Sequence, residues 1–132
     1  LLERVLSLES TVGIPLEWAR KEIPYEITAG SSWVAVRLLD TSPVREVVSK
    51  AMGPVITTSL NRTGEDPICS AKKAKEFIST SPRPITLVDD GQDYCSGHSS
   101  SIVLLRVGGG YSLVRNGRFA EQIVHLLEEI AF

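Results

Sequence analysis

The chain has 132 residues, 42% hydrophobic and 23% charged, with a formal net charge of −2 at neutral pH. That balance belongs to an ordinary folded domain and excludes a disordered segment, which would carry too few apolar residues to offset its own ordering entropy. The slight negative charge excludes broad adhesion to nucleic acid, which needs many lysines and arginines against phosphates, and no apolar run approaches the ~20 residues that cross a bilayer. A single domain over residues 1–132 and a cytoplasmic location are the expectations.

In chain order, residues 1–8 and 15–22 predict short helices, the second with Pro15 in its first turn and Trp18 packed inward. Residues 23–29 predict a strand, and Gly30-Ser31-Ser32 a turn into a second strand at 33–39, the two forming a hairpin. Ser42-Pro43 starts a helix in which Val44, Val47, Val48 and Ala51 recur at helical spacing until Met52-Gly53-Pro54 stops it. Residues 55–59 predict a strand, followed by a polar loop and a helix from Ser70 to Ile78. The proline-rich run 79–84 is a connector, and residues 85–89 return to the sheet. Strands at 101–107 and 111–115 flank Gly108-Gly109-Gly110, a hairpin turn in which glycine supplies positive φ. A last helix over 117–130 places Phe119, Ile123, Leu127 and Ile130 on one face. The fold class is therefore mixed α/β, with a twisted mixed sheet and flanking helices.

Chemistry concentrates where apolar runs end in polar clusters. The run Pro54-Val55-Ile56 empties into Thr57, Thr58, Ser59, Asn61 and Thr63-Gly64, a set of hydroxyls and an amide able to meet phosphate or carboxylate oxygens; a capped loop before the next helix explains the same residues equally well. Arg37 shares a strand face with Trp33 and Ala35, and its planar fork suits bidentate contact with an anion. Ser99-Ser100-Ser101 lead into an apolar strand, and Arg115 ends the next one. The triple glycine lacks the spacing of a dinucleotide-binding turn, and no phosphate-binding glycine-lysine loop is present.

Cys69 and Cys95 have no partner at zinc-ligand spacing and read as free thiols. His98 and His125 likewise lack metal-ligand spacing, while Asp89, Asp90 and Asp93 read as solvated turn carboxylates, so no metal site is assigned. Lys72, Lys73 and Lys75 read as a solvated helix face. No nucleophile, base and acid fall into a recognisable arrangement, and catalytic residues are left unassigned.

Five short segments occur together and in order: Trp33-Val34-Ala35-Val36-Arg37, Ser59-Leu60-Asn61-Arg62-Thr63-Gly64-Glu65, Leu87-Val88-Asp89-Asp90-Gly91, Gly97-His98-Ser99-Ser100-Ser101-Ile102-Val103 and Leu113-Val114-Arg115-Asn116-Gly117. In this order they resemble the YrdC-like threonylcarbamoyl-AMP synthase family, from about Ile23 to the C-terminus. The resemblance implies a YrdC-like fold and an ATP-dependent nucleotidyltransferase that joins threonine, bicarbonate and ATP into threonylcarbamoyl-AMP and pyrophosphate, for the threonylcarbamoyladenosine modification of tRNA. ATP is implied as a substrate with Mg2+, and no tightly bound cofactor is implied. Arg37, Thr57 and Ser100 are implied to bind threonine or its activated carbonyl region; Ser59, Asn61 and Arg115 are implied to bind ATP. Leu60 stands where the family usually has alanine, Ser99 where glutamate is common, and Asn116 where proline is usual.

The family's N-terminal Lys-x-Arg segment has no counterpart before Val34, so the expectation is an N-terminally shortened YrdC-like domain with only part of the site. Two other classes fit the same residues: a non-catalytic nucleotide- or RNA-binding module, and a protein-interaction domain. The implied partners are ATP and threonine, with tRNA or tRNA-modification proteins as further candidates and a homodimer if a sheet edge is exposed.

Overall fold

The computed structural model describes residues 2–39, 42–89, 91–92 and 98–129. Their contacts divide the chain into two compact units, one joining Leu1–Leu39 to His98–Phe132, the other comprising Asp40–Gly97.

The first unit is built on a four-stranded sheet with the order β2-β1-β3-β4. Helix α1 (Leu2–Leu6) leads through Glu9, at a positive φ of 49°, into β1 (Ser10–Pro15). Strand β1 pairs parallel with β3 (Ser101–Leu105) and antiparallel with β2 (Trp33–Val36). Strand β4 (Tyr111–Arg115) returns antiparallel along β3 through the Gly108-Gly109-Gly110 turn, whose three φ angles of 85°, 106° and 81° fall where side-chain-bearing residues are strained.

Side chains alternate across the strands, so one sheet face carries Ser10, Val12, Ser101, Val103 and Leu105. These pack with Val5 of α1 and with Ile123, Leu126 and Leu127 of α5 (Ala120–Glu128) to form the core. Val5, Val12, Val103 and Ile123 are wholly removed from solvent, each contributing on the order of 1.5–3 kcal/mol by burial. The opposite face carries Thr11, Gly13, Ala35, Ile102 and Leu104.

The second unit contains α3 (Ser42–Ala51) and α4 (Ala71–Ser79). Helix α3 stops where sequence places its end, with Met52 at a φ of 53° before Gly53-Pro54. Ser70 caps α4 by accepting a hydrogen bond from the Lys73 backbone N–H at 3.3 Å, and Ala74 is its buried contact.

Several sequence expectations are corrected. Residues 23–29 are not a strand: Pro24 has no N–H to give a ladder, and the chain instead closes one turn of helix, α2 (Tyr25–Thr28), ended by Ala29 in the left-handed region with its N–H on the Tyr25 carbonyl at 2.7 Å. Strand β2 consequently pairs with β1. Residues 15–22 are not one helix: Pro15 ends β1, only Leu16–Trp18 close a short 3₁₀ turn, and Trp18 is exposed. Residues 55–59 and 85–89 are in no strand and join no sheet. Cys69 is disulfide-bonded and not a free thiol; Cys95, Asp90, Asp93 and Ile130 lie outside the described residues.

Ile123→Ala should lower the unfolding free energy by about 2–5 kcal/mol, because a wholly buried branched side chain leaves a cavity where α5 meets the sheet. Urea unfolding followed by far-ultraviolet circular dichroism measures the loss.

Candidate functional site

The face of the sheet opposite the core carries a polar cluster assembled from three strands. Arg115, the last residue of β4, pairs with Ile102 of β3, and Thr11 of β1 pairs with Ile102 from the other side. All three therefore project from the same face, as does Ser100, two residues before Ile102. Arg115 Nε donates to the Ser100 carbonyl oxygen at 2.8 Å, and Arg115 Nη2 donates to Ser100 Oγ at 3.0 Å. The same Oγ meets Thr11 Oγ1 at 3.0 Å. Ser100 is nearly buried, at 8% exposure, whereas Arg115 is exposed. An exposed guanidinium is thus braced from beneath by a buried serine.

The neighbouring residues hold this arrangement in place. Ser101 points into the core, where its Oγ accepts from the Gly117 N–H at 3.1 Å, and its own N–H donates to the Glu9 carbonyl at 3.2 Å. Ser10 Oγ, opposite Ser101, donates to the Val5 carbonyl at 2.7 Å. These bonds satisfy the buried hydroxyls and fix the entry to β3 on which Ser100 sits. Gly117 has no room for a side chain: a Cβ there would overlap the Ser101 nitrogen and the Ser99 carbonyl oxygen.

Arg37 lies one residue beyond β2. The antiparallel register ends at Val12 opposite Val36, and carried one step further it sets Arg37 beside Thr11, on the face opposite the core. Arg37 is exposed and forms no ion pair with a described residue. At the far end of the same face Trp33 lies against Gly13, whose missing side chain makes room for Leu104 Cδ2 of β3, and the indole Nε1–H donates to the Leu105 carbonyl at 2.9 Å.

In the second unit, Ser59 and Asn61 organise their own loop. Ser59 Oγ donates to Asn61 Oδ1, while Asn61 Nδ2 donates to the Arg62 and Glu65 carbonyls at 2.9 and 3.1 Å. The Glu65 N–H returns to the Arg62 carbonyl at 3.0 Å, with Gly64 at a φ of 86°, and the Ile68 N–H closes the loop on the Leu60 carbonyl at 2.9 Å. Both amide donors of Asn61 are committed to backbone oxygens. Thr57 is exposed on extended chain.

Of the residues singled out from sequence, Ser100 and Arg115 are in direct contact, Arg37 shares their sheet face, and Ser59 and Asn61 contact each other. Thr11 was missed. Its signal was present in the β-branched Thr11, Val12 and Ile14, masked by Gly13 and Pro15, residue types that weaken a strand pattern.

Fold and cluster together define a mixed α/β domain in which one face of a mixed sheet packs on helices and the other carries a braced arginine. The chain belongs to the Sua5/YciO/YrdC family, whose model, described as "Telomere recombination", matches residues 6–117. It is similar to the threonylcarbamoyl-AMP synthase of Hydrogenovibrio crunogenus, 33% identical over 69 residues that make up 50% of this chain and 37% of that protein. It is also similar to the threonylcarbamoyl-AMP synthase of Wigglesworthia glossinidia brevipalpis, 30% identical over 98 residues, or 74% of this chain and 47% of that protein. The chain thus spans less than half the length of these curated relatives. No solved structure matches it significantly. No helix of the described residues is long and apolar enough to cross a membrane.

Gly117→Ala should displace the entry to β3, since the colliding atoms are backbone and cannot rotate away, at a cost of about 1–3 kcal/mol. Urea unfolding gives the cost, and a shift of the Arg115 Nε–H resonance reports the displaced Ser100.

Proposed function

We propose that this chain contributes the sheet surface of a threonylcarbamoyl-AMP-forming site, in which threonine, bicarbonate and ATP give threonylcarbamoyl-AMP, pyrophosphate and water. The observation that carries the reading is the Arg115–Ser100–Thr11 brace on the sheet face opposite the core, where Arg115 and Arg37 are both exposed. Arginines at the two outer strands are about three interstrand spacings apart, roughly 14 Å between backbones, which suits a substrate pair with a carboxylate towards one end and a phosphate towards the other. Arg37 is assigned to threonine and its carbamate, and Arg115 to the negative charge of the nucleotide or carboxylate.

The chemistry is a nucleotidyl transfer in which a carbamate oxygen attacks the α-phosphorus of ATP and pyrophosphate leaves. ATP enters as its magnesium complex. Such a step needs reactants held in line and negative charge met by fixed donors, and it requires no protein nucleophile. Membership of the family and similarity to two threonylcarbamoyl-AMP synthases support the reading. In the second unit, Ser59 and Asn61 are assigned to ATP through the shape they impose on the loop, because the amide of Asn61 already serves the backbone carbonyls of Arg62 and Glu65.

The test is pyrophosphate release from ATP with threonine and bicarbonate, measured on this chain and on a form extended at its N-terminus by a Lys-x-Arg segment. Release is expected from the extended form and not from this chain alone, since cationic groups are needed on both sides of the developing charge. In the extended form, Arg37→Ala and Arg115→Ala should each lower the rate at least about tenfold, equivalent to roughly 1.4 kcal/mol of transition-state stabilisation. Rates within twofold of the parent would overturn both assignments.

A further inference from the structure

The brace beneath Arg115 has a consequence for Thr11. A guanidinium carries five N–H donors. Two of those of Arg115, on Nε and Nη2, are committed to the carbonyl and hydroxyl of Ser100. The remaining three, at the Nη1 and outer Nη2 end of the fork, have no partner among the described residues. That free end has the spacing for two parallel hydrogen bonds to a carboxylate.

Whether it is held still depends on Ser100 Oγ, because a serine hydroxyl can rotate among three staggered positions. Only the position facing both partners keeps the Nη2 bond, and Thr11 Oγ1, at 3.0 Å, is the second partner that selects it. Ser100 itself is 8% exposed and has its acceptor and donor capacity divided between Arg115 and Thr11. It therefore acts as an internal strut, and the outward contact falls to Arg115.

We propose that Thr11 is a positioning residue that acts through Ser100 Oγ to fix the plane of Arg115, making the free end of its fork a two-point receptor for the carboxylate of an amino acid. The proposal rests on the reading that this face takes threonine, with the carbamate towards Arg37, and of the two charges assigned to Arg115 it selects the carboxylate; it concerns the hydroxyl relay and not the turnover. Thr11→Val keeps the β-branched shape and removes the hydroxyl; Thr11→Ser keeps the hydroxyl.

The experiment is nuclear magnetic resonance on the 15N-labelled chain, following the Arg115 Nε–H signal during separate titrations with L-threonine, acetate and L-threoninol, which lacks the carboxylate. In the parent, L-threonine and acetate should shift that signal and threoninol should not. Thr11→Val should weaken both carboxylates about tenfold, the loss expected for one hydrogen-bonded constraint, while Thr11→Ser stays within about twofold of the parent. Equal affinity in Thr11→Val and the parent would overturn the proposal, as would a Thr11→Ser loss matching that of Thr11→Val, or an Arg115 signal that no carboxylate moves.

The two readings fail separately. Thr11-dependent acetate binding without threonine binding would reject the threonine assignment and keep the relay, whereas threonine binding indifferent to Thr11 would do the reverse. Should Thr11→Val not fold, Ser100→Ala removes the same hydroxyl relay from the other side and should give the same carboxylate loss; retention of parent affinity there would overturn the proposal.

Discussion

The parallel pairing of β1 with β3 is the constraint on which the rest of the first unit depends. It sets Val12 beside Val103 in the core and, with the same register, Thr11 beside Ile102 on the opposite face. Side chains alternate with a period of two, so a one-residue slip would turn Thr11 into the core and Val12 out of it. Core and polar cluster are two sides of one register and cannot be adjusted independently. The partners come from opposite ends of the sequence, and a parallel pair needs a long crossover to form at all.

Satisfying polar groups at the start of β3 stabilises this pairing and shapes the cluster together. Ser10, Ser100 and Ser101 are all buried, an unusual concentration of hydroxyls beside an apolar core, and each has a partner: Val5, Arg115 with Thr11, and Gly117. An unpaired hydroxyl in these positions would cost about 1–3 kcal/mol. The bonds that remove this cost also aim Arg115. Gly117 belongs to the same construction, because only a residue without Cβ lets the chain after β4 pass close enough to meet Ser101.

The second unit uses polar side chains in another way. Asn61 is the centre of a closed turn, with Ser59 on its oxygen and two backbone carbonyls on its nitrogen, and the turn is tied at its far side by Ile68 just before the disulfide-bonded Cys69 and the Ser70 cap of α4. A Ser-x-Asn sequence reads as two ligand-facing side chains, yet here the pair determines backbone shape. That role follows from the local chemistry of asparagine, whose amide competes well for nearby carbonyls.

Sequence by itself determined the elements governed by local chemistry: the stop of α3 at Met52-Gly53-Pro54, the Ser70 cap, the triple-glycine hairpin between β3 and β4, and the apolar face of α5 with Ile123 and Leu127. It also carried the family, since short motifs in fixed order survive where overall identity is low, and it singled out Ser100 and Arg115. Tertiary structure decided what depends on distant partners. Residues 55–59 and 85–89 have strand-like composition and no ladder to join, whereas Ser10–Pro15, interrupted by Gly13 and ended by Pro15, is an inner strand because β2 and β3 flank it. Thr11 became part of the cluster for that reason: its β-branched neighbourhood marks it only as strand-like, and the register with a strand from the far end of the sequence brings its hydroxyl to Ser100.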